Sequence, residues 1–153
     1  MSELEGQAAD AAAIRECVNR FVAAIRSKDI DAVMSTFAAD VISYDLGPPL
    51  QHGGGEVFEE HWQALFSAYE GAIDYEIRDL QVAVSNDLAF IHSLNKTSGL
   101  LKSGKRSERW LRWTACFRKR DDKWRVVHEH VSVPVDLKSG KALVDLKPEP
   151  AEI

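Results

Sequence analysis

Hydrophobic residues near the start of the chain recur every three or four positions. This stripe consists of Ile14, Cys17, Val18, Phe21, Val22 and Ile25. Such spacing is typical of a helix with one buried face. Ser27-Lys28 interrupts the stripe, and Asp29 follows as a suitable N-cap for a second, shorter helix. The pattern predicts a helical hairpin, with residues 1–9 as a flexible segment before it.

The period changes from helical to strand-like further along the chain. Residues 41–45 are expected to form a short strand that stops at Pro48-Pro49, because proline has no N–H to donate to a ladder. A third helix should run from about Glu56 to the region of Gly71. Beyond Gly71 the apolar residues alternate, which predicts four strands. These cover residues 73–84, 88–99, 106–119 and 124–133.

The order α-α-β-α-β-β-β-β separates the helices from an antiparallel meander, so we expect an α+β fold. The simplest packing is one curved antiparallel sheet that wraps three helices and leaves a funnel between them. We assign this domain to residues 10–135 and a C-terminal tail to residues 136–153. The full length of 153 residues suits one domain.

Composition excludes several classes of protein. The net charge of -5 disfavours a nucleic-acid binder, which needs a cationic surface. No stretch has the roughly 18 apolar residues of a membrane helix, and the first residues do not resemble a secretory signal. Two cysteines do not make a disulfide framework. We therefore expect a cytoplasmic protein. No cofactor motif is visible, so none is expected.

Three segments resemble a known superfamily. They are residues 21–33 in the helical hairpin, residues 44–53 after the first strand, and residues 122–134 in the last strand. Together they resemble SnoaL-like and ketosteroid isomerase-like proteins of the nuclear transport factor 2-like superfamily. The last segment also resembles the association domain of calcium/calmodulin-dependent kinase II. The resemblance implies a cone-shaped fold over roughly residues 10–134, but this superfold hosts many unrelated functions.

The resemblance also implies roles for single residues. Asp45 falls where the isomerase has its catalytic base. Phe21 stands at the position of the oxyanion tyrosine, and Trp113 at that of the protonated aspartic acid that also holds the oxyanion. Neither supplies the donor of the isomerase, and one lost donor can cost about 10²–10³-fold in rate. Steroid isomerisation is therefore not expected. The alternative for Asp45 is a turn aspartate that bonds its own backbone.

Histidines in the predicted strands supply further hypotheses. His92 shares a face with Phe90 and could be a funnel-wall acid/base group, although a core histidine is the more common case. His128 and His130 share a face, but a metal site needs at least a third ligand, and His92 or Asp45 would have to converge on the pair, so no metal site is expected. Alignment with the isomerase would direct Glu129 into the funnel. A bulge of one residue would direct the histidines there instead.

The remaining candidates are residues that would line a hydrophobic pocket. The expected ligand-binding set comprises Phe21, Tyr44, Trp62, Phe90, Trp113, Glu129 and His130. Arg109 and Arg112 lie in the long strand. An arginine facing inward would bind a carboxylate, while outward arginines are the ordinary case on a sheet with one wet face.

These features favour a small-molecule pocket protein that performs proton transfer or water addition, of the isomerase or the hydrolase/lyase type, on a hydrophobic carbonyl compound or a polyketide-like substrate. Asp45 and His92 would be its catalytic residues. The alternatives are a non-catalytic binding module and an assembly domain of the same fold. All three versions are expected to form a homodimer through the outer face of the sheet. None is expected to bind a nucleic acid or a membrane.

Overall fold

A computed structural model describes residues 2–150 of the chain. It consists of an N-terminal helix pair, a third helix and one five-stranded sheet. The helices are α1 (Glu3–Arg26), α2 (Ile30–Ser35) and α3 (Glu56–Ser67). The strands are β1 (Phe37–Tyr44), β2 (Tyr69–Ser85), β3 (Leu88–Leu101), β4 (Arg106–Arg120) and β5 (Lys123–Ser132). The α+β class and the order of elements are as the sequence predicts.

The first helix begins earlier than the apolar stripe indicates. Ser2 caps it: its hydroxyl accepts the backbone N–H of Glu5, whose carboxylate accepts the N–H of Ser2 in return. This capping box satisfies two donors that would otherwise lack partners. Residues 3–9, expected to be flexible, are therefore helical. Asp29 caps α2 as predicted, since its Oδ1 accepts the N–H of Ala32 at 3.1 Å.

The sheet has the strand order β1-β5-β4-β3-β2. The last four strands form an antiparallel meander, as the alternating pattern predicts. β1 pairs with β5 in parallel, which corrects the expectation of an all-antiparallel sheet. The register shifts in β2, once between Glu70 and Asp74 and again between Arg78 and Gln81. Such bulges increase twist and bend a strand, which fits the curvature of this unclosed sheet.

One face of the sheet, here called the inner face, packs against the helices, and the opposite one is the outer face. The core between them is rich in aromatic side chains. Phe21 of α1 lies at its centre, stacked on Trp113 of β4 with ring centroids 5.3 Å apart. The edge of Trp62 of α3 meets Phe21 at 5.6 Å. α1 and α3 are thereby fixed against the same part of β4.

The segment after β5 continues along the sheet. Val135 and Ala142 form an isolated bridge. Lys147 lies 3.4 Å from the carboxylate of Glu108 on β4, and Arg78 of β2 donates to the carbonyl of Glu149 at 2.7 Å. The segment therefore contacts the sheet as far as Glu149. Within residues 2–150, no helix combines the length and the apolar character that a membrane span needs.

Candidate functional site

A cavity of about 360 Å³ lies between the inner face of the sheet and the helices α1 and α3. Most of its wall is apolar and aromatic. The main apolar side chains are Phe21, Phe58, Trp62, Leu111, Trp113 and Val131. A few polar groups interrupt this wall, which is the usual composition of a small-molecule pocket.

Glu129 of β5 is the most deeply buried acid of the cavity, with 4% of its surface exposed. The hydroxyl of Ser43 donates to its Oε2 at 2.8 Å, and the indole N–H of Trp113 donates to its Oε1 at 3.0 Å. Burial raises the pKa of Glu129 to about 7, although the two hydrogen bonds oppose the shift. The nearby charge of Asp45 adds to it. Near neutral pH its protonated and ionised forms are therefore both populated.

A second polar group is a chain of three buried side chains on β3 and β2, of which Asn95 and Tyr75 line the cavity. Ser93 donates from its hydroxyl to Asn95 Oδ1 at 2.6 Å. Asn95 then donates from Nδ2 to the hydroxyl oxygen of Tyr75 at 2.7 Å. Burial raises the pKa of Tyr75, so its phenol stays protonated. Among residues 2–150, no group accepts the Tyr75 hydroxyl hydrogen, which is therefore free to bond a ligand.

Asp45 lies at the mouth of the cavity, directly after β1. Its side chain is exposed, and its Oδ1 accepts the N–H of Leu46 at 2.7 Å. The loop that follows returns to β1, where Ser43 and His52 exchange two backbone hydrogen bonds of 2.8 Å. The ring of His52 packs on that of His61 of α3, with centroids 4.5 Å apart. These contacts hold the loop that carries Asp45 against α3.

The cavity brings together part of the set expected from the sequence. Asp45, Phe21, Trp62, Trp113 and Glu129 all line it. The other four expected residues do not line it: Tyr44, Phe90, His92 and His130.

On β3, the alternation directs Ile91, Ser93 and Asn95 inward. His92 and Phe90 therefore lie exposed on the outer face, and their expected place in the funnel wall is corrected. Tyr44 and His130 are also exposed and do not line the cavity. Their rings pack together, with centroids 5.6 Å apart.

A bulge in β5 resolves the facing of the last strand, which the sequence leaves open. Cys116 of β4 pairs with His128, but the next residue, Phe117, pairs with Val126. Val127 is therefore the extra residue. Residues three positions apart on a regular strand face opposite sides of the sheet. The bulge instead places both Val126 and Glu129 on the inner face.

Ser43, Tyr75 and Asn95 also belong to the site, although the sequence pattern does not point to them. Their signal is weak: each is a single polar residue at an inward position of a strand. Arg109, whose facing was left open, lines the cavity. Arg112 lies on the outer face and donates to the hydroxyl of Ser132 at 3.0 Å.

Comparison with known proteins identifies the family of this architecture. The family described as SnoaL-like domain matches residues 14–136. No curated protein matches the chain. A solved structure of an NTF2-like protein of unknown function from Pseudomonas putida KT2440 is 31% identical. It superposes with a TM-score of 0.83 over 92% of this chain and 98% of its own.

Two more distant structures share the fold. A ketosteroid isomerase-like protein from Erwinia carotovora atroseptica is 23% identical, with a TM-score of 0.68 over 80% of this chain and 95% of its own. A candidate dehydratase of the NTF2-like family from Streptomyces avermitilis is 20% identical, with a TM-score of 0.70 over 82% and 97%. At these identities the likeness concerns the fold alone.

Proposed function

The chain belongs to the SnoaL-like domain family, and on that premise we propose that its cavity binds a hydrophobic carbonyl compound and transfers a proton on it. One observation carries the proposal. An apolar cavity contains the buried carboxyl of Glu129, with a pKa of about 7, and has the exposed carboxyl of Asp45 at its mouth. Two acids in such contrasting surroundings suit the opposite roles of base and acid.

The roles follow from the surroundings of each group. Asp45 removes a proton from the carbon next to the ligand carbonyl, and the carbonyl oxygen gains negative charge. Protonated Glu129 and the hydroxyl of Tyr75 are the donors for that oxygen. Donors held in place before the reaction are among the largest contributions to such catalysis.

This set of donors differs from that of the steroid isomerase. Phe21 has no hydroxyl group, and the N–H of Trp113 is already used in its bond to Glu129. Steroid isomerisation by the isomerase route is therefore not what we propose. The name of the fold neighbour from Erwinia describes its shape and does not assign a substrate here.

The test is exchange of the protons next to the carbonyl of simple hydrophobic ketones in deuterated water, followed by NMR. 2-Decanone and 2-tetralone are suitable probes. Asp45→Asn should lower the exchange rate about 10²–10⁴-fold, the usual contribution of a placed base, and leave thermal unfolding unchanged. Asp31→Asn, an exposed acid on α2, is the matched control. Exchange at the parent rate in Asp45→Asn would reject the assigned base.

A second candidate function is binding without turnover. It is favoured by the hydrogen bond from the N–H of Leu46 to Asp45 Oδ1, which is the arrangement of an ordinary turn aspartate. Saturable binding of these ketones with no proton exchange would support binding without turnover as the function.

We also propose a homodimer formed through the outer face. Phe90 and Leu88, two residues apart on the outer face of β3, are 49% and 46% exposed there. Apolar side chains clustered in this way are typical of interaction surfaces. A ring larger than a dimer, seen by light scattering, would instead favour an assembly domain.

The cytoplasm stays the proposed location, which fractionation of cells would test.

A further inference from the structure

Arg109 of β4 is the only arginine or lysine among the residues that line the cavity within the described part of the chain. Its Cα atom lies at the end remote from Glu129, in one cross-strand row with those of Thr97 and Tyr75. The side chain of Tyr75 reaches from this row toward Glu129, because its hydroxyl bonds Asn95, the partner of Leu111. Arg109 is exposed, so this end of the cavity is open to solvent.

The guanidinium of Arg109 has no partner in the protein over residues 2–150, where it makes neither an ion pair nor a side-chain hydrogen bond. Three of the other six arginines of the sheet have such partners, so Arg109 is distinguished by its place in the cavity wall and not by the lack of a partner alone. Arg112 bonds Ser132, Arg120 bonds Asp40, and Arg78 bonds the carbonyl of Glu149. A guanidinium has five donors in a planar fork that matches a carboxylate. Arg109 is thus free to bind an anionic group of a ligand.

The acids of the cavity fix which way such a ligand would lie. The carboxylate of Asp45 repels an anion, and Trp113 is bonded to Glu129. Arg109 and Trp113 are four residues apart on one strand, which separates their Cα atoms by about 14 Å. Between them on the same strand, Leu111 contributes an apolar side chain to the wall. An anionic group at Arg109 would therefore lie several carbon atoms away from a neutral carbonyl beside Glu129.

We propose that the ligand is an elongated hydrophobic keto acid, whose carboxylate binds Arg109 and whose ketone lies beside Glu129 and Tyr75. This inference rests on the proposed function, because it specifies the substrate class of the same cavity. Arg109 is then the residue that selects acids over neutral compounds of the same length.

Calorimetric titration with two matched probes tests the inference. 9-Oxodecanoate and 9-oxodecanamide have the same length and differ in one charged group. At about pH 6 the acid is ionised, and we expect it to bind about 10-fold more tightly than the amide. A 10-fold difference in affinity lies between the contribution of an exposed ion pair and that of a buried hydrogen bond to a charged group.

Arg109→Met should abolish this preference, and Arg109→Gln gives the same readout if methionine lowers stability. Arg106→Met, an exposed arginine three positions earlier on the outer face, should keep the preference. Equal affinity for acid and amide in the parent, or a preference for the acid that persists in Arg109→Met, would overturn the inference. Neither result would contradict the proposed ligand pocket. If neither probe binds, the proposed function fails, and this inference fails with it.

Discussion

The indole N–H of Trp113 donates to the carboxyl of Glu129 at 3.0 Å, and the same indole stacks on Phe21 of α1. One side chain thus forms the wall of the cavity and also orients the acid beside it. Because the indole is held by the helix, the position of Glu129 depends on the packing of α1 against the sheet. The acid and the core of the protein are therefore coupled.

The raised pKa of Glu129 predicts a pH dependence of stability. The folded protein binds this proton more tightly than the unfolded chain does, since burial raises the pKa from 4.5 to about 7. The contribution of this proton to the free energy of unfolding is fully present below about pH 4.5. It is lost as the pH rises through about 7, which lowers the free energy of unfolding by about 3 kcal/mol. Glu129→Gln cannot ionise, so it should lack this loss. Urea unfolding at about pH 5 and about pH 8 measures the difference.

Glu60→Gln is the control for this experiment, because Glu60 is an exposed acid on α3. Its stability should fall between the two pH values as much as that of the parent. If Glu129→Gln also loses as much stability as the parent, the carboxyl does not titrate in the way that its burial implies.

Two neighbouring glycines before α3 predict opposite responses to alanine. A Cβ at Gly54 would collide with the backbone carbonyl oxygen of Ala39 and lie 3.3 Å from Cγ1 of Val41. A Cβ at Gly53 would meet nothing within 4 Å. Gly54→Ala should therefore lower the free energy of unfolding by about 1–3 kcal/mol, the usual cost of overpacking, while Gly53→Ala leaves it nearly unchanged. Equal urea midpoints for the two variants would contradict this account of the loop.

Local periodicity was sufficient to predict the helices and the meander, but it could not predict the pairing of distant segments. β1 pairs in parallel with β5, which lies far from it along the chain. The two faces of β3 also could not be told apart by hydrophobicity. Phe90 and His92 alternate with Ile91 and Ser93, and each face carries apolar and polar side chains.

The inner polar residues of β3 are tolerated because they are bonded to one another and to Tyr75, a contact that no local pattern reveals. The same limit applies to β5. The alternation of inner and outer side chains along β5 is interrupted at Val127, and only the register with β4 shows this bulge. Asp45, Trp113 and Glu129 were found by resemblance to a family, whereas Tyr75 needed the fold.

The exposed apolar side chains of the outer face predict self-association. Phe90→Lys should convert a dimer to a monomer, because a charge would have to be desolvated in the interface. Its effect on the fold of one subunit should be small, since Phe90 is 49% exposed. Sedimentation velocity measures the change. Leu4→Lys, at an apolar residue of α1 that is 78% exposed, should sediment as the parent does. A parent protein that sediments as a monomer would reject the interface.

The hydroxyl of Tyr75 provides the sharpest test of the donors proposed for the carbonyl oxygen. Tyr75→Phe keeps the ring that packs on Phe21, with centroids 6.2 Å apart, and removes only the oxygen. The proton-exchange rate should fall about 10²-fold at saturating ketone, as expected for one lost donor.

Stability should also fall in Tyr75→Phe, by about 1–3 kcal/mol, since the buried Nδ2 of Asn95 loses its acceptor. The matched control is Tyr44→Phe, which removes the hydroxyl of an exposed tyrosine on the outer face. It should change neither quantity. If Tyr75→Phe loses stability but exchanges protons at the parent rate, the hydroxyl serves the core and not the ligand. The oxyanion would then depend on Glu129 alone, and Glu129→Gln would have to account for the whole effect on rate.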